Sequence, residues 1–153
     1  MNTATAPKIE DLTVSINQEI HVKAPLAVTF DTLLEQLGPL MTAENDKPMP
    51  MKIEAWPGGR WYRDLGDNNG HLWAHVQAIK RPTLLELAGP LMMSFAVASN
   101  VQYRLSEEAG GTLISFHHFA LGLIPDDYKK GMNEGWTQIA GRAKDRAEKR
   151  ASK

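Results

Sequence analysis

The last part of the chain constrains the fold most. From Pro125, the stretch PDDYKKGMNEGWTQIAGRAKDRAEKR reads as one long helix. Tyr128, Met132, Trp136, Ile139, Ala143 and Ala147 recur at spacings of four and three, which lays a single apolar stripe along it. Asp126 and Asp127 lie at its start, and Arg142, Lys144, Arg146, Lys149 and Arg150 at its end, the bias that complements a helix dipole. The two aspartates therefore read as capping residues rather than as paired catalytic carboxylates. A long one-sided stripe must be buried against another layer.

The preceding residues supply that layer, because they alternate with the period of strands. In TVSINQEIHVKA, Val14, Ile16, Ile20 and Val22 share one face, interrupted only by Gln18. Pro25 then opens a helix whose stripe is Leu26, Phe30, Leu33, Leu34 and Leu37, stopped by Gly38-Pro39. LMTAENDKPMP, residues 40–50, has no periodicity and reads as a loop. Six strand-like segments follow: MKIEAW, RWYRDL, HLWAHVQAI, TLLEL, SNVQYRLSEE and TLISFHHFAL. Pro57-Gly58-Gly59, Asn69-Gly70, Arg81-Pro82, Gly89-Pro90 and Gly110-Gly111 separate them as turn signals, with Asn69-Gly70 the expected hairpin turn. The order is strand, helix, meander, long helix. With 153 residues the chain is long enough for one domain with a real core. We expect that domain over residues 13–150, behind a flexible lead-in over residues 1–12.

Composition removes several function classes. Seventeen basic against 18 acidic residues give a net charge of −1, without the basic excess of a nucleic-acid footprint. The chain has no cysteine, so it forms no disulfide and offers no thiol nucleophile. MNTATAPKIEDL lacks the basic and apolar regions of a signal peptide, and no apolar run reaches the ~20 residues of a membrane span. A cytoplasmic protein is expected, with no metal and no cofactor. No phosphate-binding glycine loop or nucleophile elbow is present: Pro57-Gly58-Gly59 lacks the following lysine and helix.

Four stretches carry a resemblance. IHVKAPLAVTFDTL, PGGRW, AHVQAIKRPTLLEL, and GGTLISFHH with Gly135-Trp136 match, in order and spacing, the SRPBCC (START/birch-pollen-allergen-like) superfamily. The branch it resembles is related to the activator of the heat-shock chaperone ATPase. One departure is Arg81-Pro82, where that branch commonly has two prolines. The resemblance covers about residues 14 to 147 and implies an α+β helix-grip fold. In that fold a curved antiparallel sheet wraps a long C-terminal helix and leaves an apolar cavity between them. Members bind hydrophobic small molecules or lipids, cyclise polyketides, or contact chaperones, and fold alone does not choose among these.

Candidate wall residues follow from that architecture and from strand parity. Gly58 and Gly59 allow a sharp corner, after which Trp61 is expected to point toward the helix. Trp56, Tyr62 and Trp73 are expected at the mouth or on the outer sheet face. Tyr103, Phe116, Met132 and Trp136 complete the walls, with Met93 and Phe95 from the methionine-bearing GPLMMSFAV as either wall or core. Gly131 and Gly135, four apart on the long helix, suggest either a groove where a ligand or a neighbour comes close or loose packing under a loop.

The polar candidates are fewer. His118 shares an inward face with Ile114 and Phe116, while the adjacent His117 points the other way. His118 could orient a ligand, act as acid or base, or be a bonded core residue. His71 and His75 would lie roughly 13 Å apart along a strand, too far for one ion. They are read as sharing an exposed face with Trp73. Arg63, by parity with Trp61, either faces inward and meets an acidic head group or sits at the rim paired with Asp64 or Glu54. The leading expectation is a protein that binds an apolar or amphipathic small molecule. The alternatives are a cyclase or hydrolase with His118 as general base, and a chaperone cofactor acting through its outer surface. Chaperone contact and homodimerisation stay open.

Overall fold

Alternation along the first strand is visible directly in burial. Val14 and Ile16 are buried and Ser15 and Asn17 are exposed in β1 (Thr13–Val22). The computed structural model describes residue 6 and residues 8–153. The expected lead-in over residues 1–12 lies partly outside the described residues, and Ile9–Leu12 forms one 3-10 turn. The remaining elements are α1 (Leu26–Leu37), β2 (Lys52–Ile53), β3 (Arg60–Gly66), β4 (Asn69–Lys80), β5 (Leu84–Gly89), β6 (Val97–Glu108), β7 (Gly111–Gly122) and α2 (Asp126–Ala151).

The strands form one antiparallel seven-stranded sheet in the order β1-β7-β6-β5-β4-β3-β2. β2 to β7 run as a meander, and β1 pairs with β7 along its whole length, from Thr13 opposite Leu121 to Val22 opposite Thr112. α1 therefore carries the chain from one edge of the sheet to the other. α2 lies on the same side and packs on α1 and β1. This is the helix-grip arrangement: a curved sheet closed over a long C-terminal helix. No helix among the described residues is long and apolar enough to cross a membrane.

Gln18, the break in the inner face of β1, is explained by α2. Its amide donates to the Asn133 carbonyl at 3.1 Å, to Asn133 Oδ1 at 2.9 Å and to Thr137 Oγ1 at 3.0 Å. The polar residue thus ties sheet to helix instead of interrupting the core. α1 is buried on two sides, which a single stripe does not anticipate. Phe30, Leu33 and Leu37 face the core, and Thr29, Thr32 and Gln36 are buried as well. The last two meet α2: Arg146 Nε donates to Gln36 Oε1 at 3.2 Å, and Arg150 Nη1 to Thr32 Oγ1 at 3.0 Å. Arg150 also pairs with Glu35. These contacts fix the C-terminal half of α2 against α1.

Several local expectations need correction. Pro25 and Pro125 are the extended residues just ahead of the helices, not first-turn residues, and neither helix has a side-chain cap. Asp126 and Asp127 lie within the first turn of α2, where their charge meets the dipole without a capping bond. The β3–β4 turn is Asp67-Asn68, both at positive φ, with Gly66 paired to Asn69. Asp and Asn tolerate that conformation, and Asp64 Oδ1 accepts the Gly66 amide at 2.9 Å, so the turn falls two residues before Asn69-Gly70. The expected strand MKIEAW shortens to Lys52–Ile53. Beyond it the chain folds into the Pro57-Gly58-Gly59 corner, where Gly58 has φ +84 and a Cβ on Gly59 would come within 1.8 Å of the Glu54 carbonyl oxygen.

The expected sharing of one exposed face by His71, Trp73 and His75 needs correction. Trp61 opposes Ala74 and Tyr62 opposes Leu72, so Trp73 is the extra residue of a β-bulge. The bulge turns Trp73 and Ala74 inward together, and both are buried. His71 and His75 remain exposed, so the three residues do not share a face.

Candidate ligand cleft

The N-terminal half of α2 stands over a cleft of about 500 Å³. One side is the helix face carrying Tyr128, Met132, Trp136 and Ile139, with Gly131 and Gly135 between them. The opposite side is the segment 41–49, which presents Met41, Thr42, Ala43, Glu44 and Met49. Trp73 and Met92 complete the walls.

Segment 41–49 is a small hairpin rather than an unstructured loop. Ala43 donates its amide to the Lys47 carbonyl at 2.8 Å and Met49 to that of Met41 at 2.9 Å, and Thr42 and Pro48 form a β-bridge. Asn45 and Asp46 at its tip both have positive φ. The Asp46 carboxylate accepts a bond from Arg142 of α2, which joins the hairpin tip to the helix across the cleft.

Two glycines of α2 line the cleft. A Cβ added at Gly131 or Gly135 would meet no atom within 4 Å. No neighbouring side chain or backbone therefore requires glycine at either place. Each glycine costs about 1 kcal/mol of helix stability relative to alanine.

Trp136 is held from behind by a buried polar chain. Its indole N–H donates to His118 Nδ1 at 2.9 Å, and His118 Nε2 lies 3.1 Å from Ser99 Oγ. The first bond requires an unprotonated Nδ1, so the ring is the neutral Nε2–H tautomer and donates to Ser99. Burial, then the neighbouring His117, push the His118 pKa down to about 4. His118 is fully buried, and both its ring nitrogens are engaged. Phe116 packs on Trp136 with centroids 4.9 Å apart, and Tyr103 on Phe116 at the same separation. Burial raises the Tyr103 phenol far above its ordinary pKa.

The expected site residues thus divide. Met132 and Trp136 line the cleft; Tyr103, Phe116 and His118 form the packed layer behind Trp136. Trp61 points to the end of α1, where its Nε1–H donates to the Leu37 carbonyl at 2.7 Å, and it meets Trp73 edge-on at 5.1 Å. Met93 is buried; its neighbour Met92 is the one in the cleft wall. Phe95 is half-buried against Tyr128, 5.2 Å between centroids. Arg63 donates to the Pro50 carbonyl at 3.3 Å and lies outside the cleft. Its expected partners are taken, because Glu54 pairs with Arg60 and Asp64 with Lys52. Among the described residues no group of three or more His, Asp or Glu could hold a metal ion. Sequence reasoning missed Met41, Met49 and Thr42, whose segment has no periodicity to read.

The sheet, the gripped terminal helix and the cleft define a helix-grip protein of the SRPBCC type. Residues 29–146 match the family profile of Activator of Hsp90 ATPase homolog 1-like proteins, and the chain belongs to that family. A comparison with curated protein sequences finds no match. Among solved structures, a protein from Rhizobium leguminosarum is similar at 20% identity and TM-score 0.67, covering 90% of this chain and 95% of that one. A protein from Chromobacterium violaceum matches at 14% identity and TM-score 0.68, covering 88% and 96%. StfQ, a di-domain ARO/CYC of the steffimycin biosynthetic pathway, matches at 12% identity and TM-score 0.68 over 95% of this chain and 54% of that one. At these identities the likeness is one of fold.

Proposed function

We propose that the protein binds an apolar or amphipathic small molecule in the cleft between α2 and the 41–49 hairpin. The observation that carries this reading is the cleft itself, whose helix side presents Met132 and Trp136 with Gly131 and Gly135 between them. The volume of about 500 Å³ falls within the range of small-ligand sites. Four methionines, Met41, Met49, Met92 and Met132, give walls that adapt to shape. Burying apolar ligand surface there supplies ~25 cal/mol per Å², less the cost of ordering. Met132 and Trp136 are the wall residues, and Tyr103, Phe116 and His118 hold Trp136 in place. A cytoplasmic setting belongs to the same proposal.

The experiment is a titration of intrinsic tryptophan fluorescence with aliphatic and aromatic ligands, on the wild type and on Gly135→Leu. Trp73 and Trp136 report directly from the cleft walls. Saturable binding that the leucine abolishes, with the fold retained by circular dichroism, supports the reading. Binding that survives the leucine, or no response to any ligand, removes it.

A second reading is contact with a chaperone through the outer sheet face, where Phe119 and Leu121 are exposed beside Leu123. The family name favours it. It predicts that Phe119→Ser weakens chaperone binding, while Gly135→Leu does not. A homodimer through the same face is the other partner compatible with this patch. An acid–base role for His118 would require Trp136 to release Nδ1 and a path to open to the ring.

A further inference from the structure

Three charged residues line the cleft: Glu44, Asp127 and Arg142. Arg142 is already bonded to the Asp46 carboxylate. Among the described residues, neither Glu44 nor Asp127 takes part in an ion pair. The N-terminus of α2 adds the equivalent of roughly half a positive charge, less than the charge of Asp127 alone. The cleft therefore carries excess negative charge above apolar walls. Trp73, Tyr128 and Trp136 add aromatic surface, whose quadrupole favours cations.

We propose that the cleft selects amphiphiles with a cationic head group over carboxylates of the same chain length. This rests on the reading of the cleft as a binding site and names its ligand class. The apolar tail lies along Met132, Trp136 and Ile139, and the ammonium group lies at the rim near Glu44 and Asp127. A fatty-acid carboxylate would meet like charge there. The Arg142 charge is balanced by the Asp46 carboxylate it bonds, which leaves Glu44 and Asp127 to set the sign at the rim.

The test uses three probes with one tail, dodecyltrimethylammonium, dodecanol and dodecanoate, each below its micelle concentration at pH 7. Tryptophan fluorescence gives the affinities. The expected order is ammonium, alcohol, carboxylate, with about tenfold or more between first and last. The double variant Glu44→Gln, Asp127→Asn should erase that ratio, and salt should shrink the ratio in the wild type. Dodecanol binding with no charge preference, or with carboxylate preferred, overturns the selectivity and leaves the cleft reading intact. A ratio that persists in the double variant also overturns it. Failure of all three probes removes both claims.

Discussion

Trp136 donates its indole N–H to His118 Nδ1 at 2.9 Å, so a cleft wall on the helix is tied to a fully buried imidazole on the sheet. The bond fixes the ring orientation of the wall and the tautomer of the histidine at once. Replacing Trp136 with Phe keeps an aromatic ring but leaves Nδ1 buried without a donor. We expect a loss of about 1–3 kcal/mol in urea unfolding, the cost of an unsatisfied buried acceptor plus some lost packing. A Trp136→Phe protein as stable as the wild type would mean that the bond contributes nothing.

The same pair sets an acid limb in stability. The His118 pKa falls from 6.5 to about 4 on folding, chiefly through burial. Between those values the unfolded chain binds the proton and the folded protein does not. Stability from this group is therefore complete above about pH 6.5 and is lost by about pH 4. At about 1.4 kcal/mol per pKa unit the loss is on the order of 3 kcal/mol. Denaturant unfolding at stepped pH measures it, and His118→Gln should flatten the curve between pH 6 and 5, above the range of the paired carboxylates.

Alanine at Gly131 or Gly135 should stabilise the protein by about 1 kcal/mol each, because the added methyl enters open space and the helix loses a flexible residue. Thermal unfolding checks this. Ligand affinity should fall in the same variants, since the methyl groups occupy the cleft. Stabilisation without loss of affinity would place the ligand elsewhere.

The contact between Arg142 and Asp46 is an exposed pair, worth at most about 1 kcal/mol. Arg142→Ala should leave global stability nearly unchanged. It should speed hydrogen exchange of the Ala43 and Met49 amides, which close the 41–49 hairpin, by a few-fold. Unaltered exchange at both would show that the hairpin holds its place without the helix.

Much of this arrangement is legible in the residues. The alternation of Val14 and Ile16, and the stripe from Met132 to Ala147, state which faces are buried, because local period and burial coincide there. Gly131 and Gly135 mark the groove by their spacing on the helix. Other features depend on distant partners. Thr32 and Gln36 read as the polar side of α1 until Arg150 and Arg146 arrive from the other end of the chain. The 41–49 hairpin has no period, and parity singles out Met93 where Met92 is the residue at the cleft. Trp73 cannot be placed by alternation, since the bulge suspends the rule at that residue.

That bulge also bears on how the site can change over generations. Trp73 is the one residue at that point of β4 without a counterpart on β3. Exchanging it reshapes the wall and the edge-on contact with Trp61 together. On the proposed reading of the cleft, a change at this position alters which molecule fits.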